Sequence, residues 1–196
     1  MKNFSRQSLI AKCSLALLLV GTLVFGLSSA AHAQAPNFGP NVYIFNPSMS
    51  ATSINSTLAT LAGNAQFSTN RYAVLFQPGT YTGVQGQVGY YESVAGLGQT
   101  PNATHVTNGY ITVNTTDSNG NVTQNFWRSI ENMQITAPAG NTLQWAVSQG
   151  AAFRRMYVDS ANGVELTNGN CGEASGGFMS DSLITNNLSS CSQQQW

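Results

Sequence analysis

Residues 153–158 read Phe-Arg-Arg-Met-Tyr-Val, and two further stretches of the sequence follow the same plan. Residues 126–135 open with Phe-Trp-Arg and close with Met-Gln-Ile, and residues 178–184 open with Phe-Met-Ser and close with Leu-Ile. The opening phenylalanines are 27 and 25 residues apart, and the closing β-branched residues are 23 and 26 apart. These closing residues are Ile135, Val158 and Ile184. A period in the twenties with short strands predicts a solenoid, in which each coil buries its apolar side chains against its neighbours.

The repeat favours an all-β fold in which equivalent strands of successive coils lie parallel, a parallel β-helix. Leucine-rich repeats have a similar period, but their ladder of leucines is absent from this sequence. A β-sandwich is the structural alternative because it also contains short strands at regular spacing. The two folds differ in strand direction, since a sandwich pairs its strands antiparallel in two facing sheets.

The residues before the repeat predict further strands and tight turns. Residues 71–81 read Arg-Tyr-Ala-Val-Leu-Phe-Gln-Pro-Gly-Thr-Tyr, so that a buried strand runs into a Pro-Gly turn and a second strand begins at Thr80. Strands are also expected at residues 42–45 and 110–113. Small residues at 94–98 would let neighbouring backbones approach closely.

A single helix is expected over residues 50–61. Ile54, Leu58 and Leu61 form one apolar stripe at helical spacing. Ser50 or Thr52 is a suitable N-cap, and Gly63 and Asn64 would end the helix. One amphipathic helix followed only by strands predicts an N-terminal cap over the first coil, with an ordinary packed helix of an α+β domain as the alternative.

The first 33 residues have the features of a secretory signal peptide. Lys2, Arg6 and Lys12 precede an apolar stretch at 13–27, and Ala-His-Ala at 31–33 offers a small-x-small cleavage site. The apolar stretch is shorter than the roughly 20 residues that span a bilayer, which argues against a membrane anchor. We therefore expect cleavage after residue 33 and secretion to the extracellular space or the periplasm.

The expected organisation is a signal peptide at 1–33, a lead-in with the capping helix at 34–70, and β-helix coils at 71–196. The mature chain would carry four arginines and no lysine against seven carboxylates, a formal net charge of −3. Nucleic-acid binding needs clustered Lys and Arg, so the composition argues against it. Neutral, hydroxyl-rich partners such as glycans fit the composition better.

Two cysteines, Cys171 and Cys191, would remain after cleavage. They are 20 residues apart, and positions about one coil apart lie close together in a solenoid. A disulfide requires Cα atoms within about 7 Å of each other. The pair is therefore a disulfide candidate in an exported protein, and two small buried thiols are the alternative.

Two parts of the sequence resemble known β-helix proteins. Val-Leu-Phe-Gln-Pro-Gly-Thr-Tyr at 74–81 and Gly-Leu-Gly at 96–98 are similar to the amino-terminal coils of the pectate-lyase-like superfamily of single-stranded right-handed β-helices. Ala-Ser-Gly-Gly-Phe-Met-Ser-Asp at 174–181 and Gln-Gln-Trp at 194–196 look like stretches of glycoside hydrolase family 55, whose members are exo-acting β-1,3-glucanases with two tandem β-helices. The layout also resembles secreted bacterial proteins that carry a discoidin-like (factor 5/8 type C) domain. The resemblance implies an incomplete right-handed parallel β-helix from a carbohydrate-active protein.

The resemblance also implies where a site would lie. In family 55 the general acid is a glutamate of the second β-helix, and inverting hydrolysis needs that acid together with a group that positions water. By resemblance, Gln194 and Gln195 belong to the water-positioning, substrate-facing side. With Trp196 and Asp181 they are the expected substrate-binding residues. The catalytic residues would lie beyond Trp196, and we expect the chain to be a fragment without turnover of its own.

Other chemistry is weakly indicated. The sequence has no metal-ligand cluster and no activated nucleophile, so we expect neither a metal nor another cofactor. His105, the only histidine after cleavage, is expected to be a solvated loop residue. Asp159 and Asp181 would suit calcium or acid–base work if they lay on the same side of adjacent coils. The favoured reading is that each is a turn residue bonded to local backbone.

Aromatic side chains are the stronger glycan signal because flat rings stack on sugar faces. The candidates are Trp127, Trp145, Trp196, Tyr90 and Tyr91. Most are expected to pack internally, with one or two lining a groove. Arg154 and Arg155 would either clamp an acidic sugar or pair with a surface carboxylate such as Glu131 or Glu173.

The sequence therefore predicts part of a secreted, monomeric, carbohydrate-active protein, a glycoside hydrolase or polysaccharide lyase. Its expected partner is a polysaccharide or cell-wall glycan. The alternative is a non-catalytic glycan-binding or cell-surface β-helix module.

Overall fold

The structure, a computed structural model, describes residues 36–174 and 177–191. The expected signal peptide at 1–33 lies outside the described residues, as do Gln194, Gln195 and Trp196. Within the described ranges every strand pairing is parallel. This excludes the β-sandwich, and the all-β parallel β-helix expected from the repeat is confirmed. None of the helices in these residues is long and apolar enough to cross a membrane.

The chain alternates short strands with turns after one helix. In chain order the elements are β1 (Val42–Phe45), α1 (Ala51–Ala62), β2 (Tyr72–Phe76), β3 (Gly79–Thr82), β4 (Gln85–Gln87), β5 (Glu92–Gly96), a 3-10 turn (Pro101–Ala103), β6 (Thr104–Thr107), β7 (Tyr110–Thr112), β8 (Arg128–Glu131), β9 (Gln134–Thr136), β10 (Leu143–Gln144), β11 (Ala151–Arg154), β12 (Tyr157–Asp159), β13 (Val164–Glu165), β14 (Phe178–Ser180), β15 (Leu183–Ile184) and β16 (Leu188–Ser189).

Each coil contributes one strand to each of three sheets. Sheet 1 has the order β1-β2-β5-β8-β11-β14, and sheet 2 has the order β3-β6-β9-β12-β15. Sheet 3 consists of β4-β7 and β10-β13-β16, which a parallel bridge between Val113 and Trp145 connects. Strands that are neighbours in a sheet are therefore one full coil apart in the sequence, as stacking of coils requires.

The register of sheet 2 confirms one half of the sequence repeat. Ile135 pairs with Val158, and Val158 pairs with Ile184. Tyr81 and Val106 continue this inward column toward the first coil. Successive strand residues point to opposite faces, so the period of the repeat places one buried side chain of each coil above the next.

The register of sheet 1 corrects the other half of the repeat. Phe153 pairs with Ile130 on one side and with Met179 on the other. Phe178 therefore points outward and is 60% exposed, and Phe126 lies in the turn before β8. The three phenylalanines are not one buried column, because a shift of one residue moves a side chain to the opposite face of a strand.

Helix α1 forms as expected and covers the first coil. Ser50 is the N-cap, and its hydroxyl accepts a hydrogen bond from the Ser53 N–H at 3.2 Å. The apolar stripe is buried, and a Cβ at Gly86 of β4 would lie 2.5 Å from Leu58 Cδ1. The helix therefore supplies the inward side chain that β4 lacks.

Asn55 ties α1 to the free edge of β4. Its side-chain carbonyl accepts a hydrogen bond from the Gln85 N–H at 2.8 Å, and its amide group donates to the Gly83 carbonyl at 3.3 Å. These are the bonds that a neighbouring strand would otherwise make. Nearby, Pro47 lies over β3, where a Cβ at Gly79 would come within 2.2 Å of its Cγ. Edge strands need such covers because their unpaired backbone groups can otherwise pair with another chain.

The close backbone approach expected at 94–98 is confirmed. A Cβ at Gly96 would lie 2.2 Å from the Asn132 carbonyl oxygen of the next coil. The Asn132 side-chain amide donates to the carbonyl oxygens of Gly96 and Gly98, each at 2.7 Å. This asparagine therefore fastens one turn to the turn of the preceding coil.

One coil is longer than the others, and its loop at 114–127 packs on a later loop. Ser93 pairs with Ser129, a separation of 36 residues. The Val122 N–H donates to the Glu173 carbonyl at 2.7 Å. Cys171 and Cys191 form a disulfide in this structure, with Cα atoms 5.4 Å apart. The disulfide links the two ends of the segment at 171–191, and this segment contains Glu173, which holds the extended loop.

Replacing Asn55 with alanine tests the capping role of α1. The variant loses two hydrogen bonds to the edge of β4, worth about 0.5–1.5 kcal/mol each, and regains part of this as helix propensity. We expect Asn55→Ala to lower the free energy of unfolding by about 1 kcal/mol, measured by urea denaturation. Ser56→Ala in the same helix is the matched control and should be neutral or slightly stabilising. Equal stability of the two variants would contradict the role given to Asn55.

Candidate functional site

The outer face of sheet 1 is a shallow groove with a floor of small side chains. Ala73, Ser93, Ser129 and Ala152 occupy one outward column through the register of β2, β5, β8 and β11. They alternate with buried residues, mostly apolar, as expected for strands with one face in a core. Phe178 continues the column on β14. We call this column the groove floor.

The neighbouring outward column is polar and charged. Arg154 Nη2 lies 2.6 Å from Glu131 Oε2, which confirms one of the pairings expected for this arginine. Both side chains are largely exposed, so the pair contributes less than about 1 kcal/mol to stability. Arg155 donates instead to the Gln99 carbonyl at 3.3 Å.

Aromatic rings border the opposite side of the groove. Tyr91 and Trp127 lie in the turns before β5 and β8, both with left-handed backbone, φ 58° and 51°. Their rings are nearly parallel, with centroids 5.2 Å apart and an interplanar angle of 7°. The Arg71 guanidinium carbon lies 3.6 Å from the centroid of the Tyr91 ring. We call Arg71, Tyr91 and Trp127 the ring stack.

The ring stack and two residues of the groove floor, Ala73 and Ser93, line an open cavity of about 340 Å³. Its lining includes Asn41, Ala73 and Ser93 besides the three residues of the ring stack. This volume lies within the range of small-ligand sites, which combine apolar walls with a few polar groups. The cavity can therefore hold a flat, hydroxylated molecule against an aromatic wall.

The ring stack is held rigidly from behind. The Tyr91 hydroxyl donates to the Gln66 carbonyl at 2.7 Å. Arg71 Nη1 donates to the carbonyl oxygens of Ser68 and Asn70, both at 2.8 Å. A fixed wall loses little conformational entropy when a ligand binds.

The other candidate aromatics have structural positions. Trp145 is 2% exposed and packs against Phe153 in the core, with ring centroids 5.4 Å apart. Tyr90 lies over the Arg128 guanidinium, 4.3 Å from ring centroid to Cζ. Trp196 lies outside the described residues. Of the five aromatics considered, Tyr91 and Trp127 line the groove.

Asp181 lies in the turn between β14 and β15. Its side chain is exposed, its φ is 49°, and the Ser180 hydroxyl donates to its carboxylate at 3.3 Å. Arg155 and Asn132 occupy the equivalent turns of the two preceding coils, with φ 52° and 56°. Asp181 is therefore a surface turn residue at the corner between sheets 1 and 2.

Asp159 and Asp181 do not form a carboxylate pair. Asp159 lies in the outward column of sheet 2 with Thr136, and the Thr185 hydroxyl donates to it at 3.1 Å. Asp181 belongs to the corner column, four residues before Thr185. Across 36–174 and 177–191, no three His, Cys, Asp or Glu side chains form a possible metal site.

His105 is a strand residue, which corrects the expected loop position. It lies on β6, and its Nε2 is 2.8 Å from the Thr136 hydroxyl. Partial burial lowers the pKa of His105, and the charge of Asp159 opposes this effect. The imidazole is therefore neutral at pH 7 and forms part of a polar column.

Sequence analysis missed a pair of buried charges, Glu92 and Arg128. They are directly paired in the inward column of sheet 1 and are 0% and 5% exposed. Glu92 Oε2 accepts a hydrogen bond from the Gly89 N–H at 2.7 Å, and Arg128 Nη1 donates to the Val88 carbonyl at 2.6 Å. The alternation Glu-Ser-Val-Ala-Gly at 92–96 was the available signal, because it places Glu92 on the same face as Val94.

Burial decides the protonation of Glu92. It raises the pKa of this carboxyl to about 7, against the smaller lowering effects of the Gly89 hydrogen bond and the Arg128 charge. Desolvation disfavours the charged form of a carboxyl group, and here it outweighs both favourable contacts. Burial therefore favours the neutral form of Glu92 at pH values where an exposed glutamate is ionised.

The chain is homologous to part of an exo-β-1,3-glucanase. No protein-family model matches the chain. It is 44% identical over 162 residues to the exo-β-1,3-glucanase of Streptomyces sp. (strain SirexAA-E / ActE), and the alignment covers 82% of this chain and 26% of that protein. The chain thus spans about a quarter of the length of this relative.

Two solved structures from Streptomyces sp. SirexAA-E share the fold. One is the structure of sacteLam55A, with a TM-score of 0.72, 44% identity, and coverage of 82% of this chain and 29% of that chain. The other is an ensemble refinement of a sacteLam55A variant in complex with glucose, with a TM-score of 0.71, 43% identity, and coverage of 84% and 30%. The chain therefore resembles part of a glycoside hydrolase in both sequence and fold.

Replacing Glu92 with glutamine tests the burial of its carboxyl. A carboxyl whose pKa rises from 4.5 to about 7 on folding stabilises the fold below pH 4.5, and this contribution is lost as the pH rises through about 7. We expect Glu92→Gln to match the wild type near pH 4.5 and to be more stable by up to about 3 kcal/mol at pH 8. Urea denaturation at several pH values provides the measurement.

Glu131→Gln is the control for this experiment. Glu131 is exposed on the neighbouring strand, so its loss should leave the pH dependence between 4.5 and 8 unchanged. A wild-type protein whose stability does not fall over this range would contradict the raised pKa.

Proposed function

We propose that this chain is the amino-terminal part of a secreted family 55 glycoside hydrolase that acts on a β-1,3-glucan. The single observation that carries the proposal is the 44% identity to an exo-β-1,3-glucanase across 82% of the chain. The TM-scores of 0.72 and 0.71 support it, because the alignment extends over the same share of the fold.

In this proposal the chain supplies a binding surface and one side of the active site. The groove on sheet 1 offers small polar side chains and an aromatic wall, which suit a neutral glucan. By resemblance, Gln194 and Gln195 contribute to positioning the water that attacks the glycosidic bond. Trp196 and Asp181 are proposed to contact the substrate beside them.

The chain alone is proposed to have no turnover. Inverting hydrolysis needs a general acid on one side of the bond and a water-positioning group on the other. The resemblance places the acid in a second β-helix, and the alignment covers 26% of the glucanase. At most one of the two required groups then lies in these residues.

Secretion is part of the proposal. The features of residues 1–33 support an export signal, and the Cys171–Cys191 disulfide suits an oxidising compartment. A discoidin-type domain elsewhere in the full-length protein, suggested by the sequence resemblance, would add a second glycan contact.

A non-catalytic glycan-binding module is the second candidate function. The observation that favours it is the lack of an acid–base carboxylate pair in the part of the chain that the structure describes, together with a groove that can bind sugar without cleaving it. The two candidates agree on the ligand and differ only in bond cleavage.

A comparison of two proteins tests the proposed function: this chain after removal of residues 1–33, and the proposed full-length enzyme. We expect the complete protein to release glucose from laminarin, because it would contain both catalytic groups. The chain alone should bind laminarin and release no sugar, measured by affinity electrophoresis and reducing-sugar analysis. Carboxymethyl cellulose, a β-1,4-linked glucan, is the control substrate.

Each outcome separates the candidates. If the complete protein binds laminarin but releases no sugar from it, the enzyme proposal fails and the binding module is favoured. If the chain alone hydrolyses laminarin, a complete active site lies within these 196 residues.

A further inference from the structure

The ring stack is part of a longer column of turn residues that changes character after Trp127. Tyr91, Trp127 and Gly150 each stand immediately before a sheet 1 strand, lie level with one another in the strand register, and have positive φ. The first two are aromatic and stacked, whereas Gly150 has no side chain. The column of rings therefore stops at Trp127, on the side that faces the later coils.

Glycine at position 150 keeps the space beside Trp127 free of a side chain. Gly150 has φ +68°, and a Cβ there would lie 2.9 Å from Trp127 Cδ1. Space and not backbone conformation decides this, because Tyr91 and Trp127 carry side chains at similar φ, 58° and 51°. The gap beside Trp127 is thus built into the corner of the β-helix.

The gap leaves one aromatic face open. Trp127 is 41% exposed although Tyr91 covers one of its faces. Its exposed area therefore belongs to the parts of the indole that Tyr91 and Phe126 leave uncovered. Of the two tryptophans within residues 36–174 and 177–191, Trp145 is 2% exposed and Trp127 is the exposed one.

The open ring is fixed in position before any ligand arrives. The Trp127 carbonyl accepts a hydrogen bond from the Tyr91 N–H at 2.7 Å, and the Trp127 N–H donates to the Gln149 carbonyl at 3.4 Å. Phe126 packs beside the indole, with ring centroids 5.2 Å apart. A preorganised aromatic surface binds at low entropic cost.

The surroundings indicate the class of ligand. The groove floor next to the stack carries Ser93 and Ser129, which offer hydroxyl groups but no charge. The cation of the stack, Arg71, lies on Tyr91 and not on the open indole face. The ion pair of Glu131 and Arg154 is already satisfied in the other outward column. An uncharged ligand with an apolar face and hydrogen-bonding edges fits this site.

We infer that the open face of Trp127 is a sugar-stacking site for a neutral β-glucan, separate from the bond-cleaving site. A β-glucose ring presents axial C–H groups on its faces, which pack against the negative face of an indole, and directs its hydroxyls outward to side chains such as Ser129. Trp127 stands immediately before β8, whereas the proposed water-positioning residues Gln194 and Gln195 follow β16 in the sequence. This inference rests on the proposed function for the choice of β-1,3-glucan as ligand.

The test is binding of laminarihexaose to the exported chain and to its Trp127→Ala variant. Loss of one aromatic stacking partner removes about 0.5–1.5 kcal/mol, so we expect the dissociation constant to rise about two- to tenfold in calorimetric titration. Trp127→Phe, which keeps an aromatic ring, should recover part of the affinity. Binding should also shift the tryptophan fluorescence of the wild type, and Trp127→Phe should reduce that shift.

Phe67→Ala is the matched control. Phe67 is 81% exposed and belongs neither to the ring stack nor to the cavity lining, so its removal should leave affinity unchanged. Circular dichroism and the urea midpoint verify that each variant is folded. An unchanged dissociation constant for Trp127→Ala, or no binding of laminarihexaose by the wild type, would overturn the inference. The proposed function is judged separately, by sugar release from laminarin with the complete protein.

Discussion

The structure depends on side chains of one coil being buried by those of the next. A single coil of about two dozen residues has no interior, and its strands are two to five residues long. Val74, Val94, Ile130 and Phe153 stand above one another in sheet 1, and all are fully buried. Parallel pairing in constant register keeps such columns aligned, and a slip of one residue would turn each column out to solvent. The apolar columns therefore fix the position of every other residue in the fold.

The outward columns inherit this alignment, which explains how a repetitive core produces an irregular functional surface. The groove floor is small because outward positions of sheet 1 hold alanine and serine in four successive coils. The corners are equally regular, since left-handed residues recur before and after the sheet 1 strands. At one corner this regularity stacks Tyr91 on Trp127, residues 36 positions apart in sequence, and then replaces side chains by glycine. The candidate binding surface is therefore formed by the residues that successive coils place at the same corner.

The buried charges show that the core is not optimised for stability alone. Glu92 and Arg128 occupy inward positions where the neighbouring columns are apolar, and each has one terminal atom without a hydrogen-bond partner, Glu92 Oε1 and Arg128 Nη2. Burying a charge is costly unless it is well paired, and these two groups bond mainly to backbone. They lie where the first coils meet the end of α1 and the long loop at 114–127. Arg128 also contacts Tyr90 in this region. The two buried charged groups therefore lie where helix α1, the long loop and the turn before β5 meet.

The sequence alone determined the features that follow from local periodicity. The spacing of Ile135, Val158 and Ile184 predicted the stacked column of sheet 2, and the stripe of Ile54, Leu58 and Leu61 predicted the capping helix. The Pro-Gly turn before Thr80 followed from backbone preferences. Only the tertiary structure decided which residues share a face across coils. It placed Phe178 outside the core and Glu92 inside it, separated Asp159 from Asp181, and joined Tyr91 to Trp127. The physical reason is that register between coils is set by how apolar columns meet in space. The coil length also varies, from 36 residues between Ser93 and Ser129 to 23 between Ser129 and Ala152, so the long coil interrupts the period that the sequence shows.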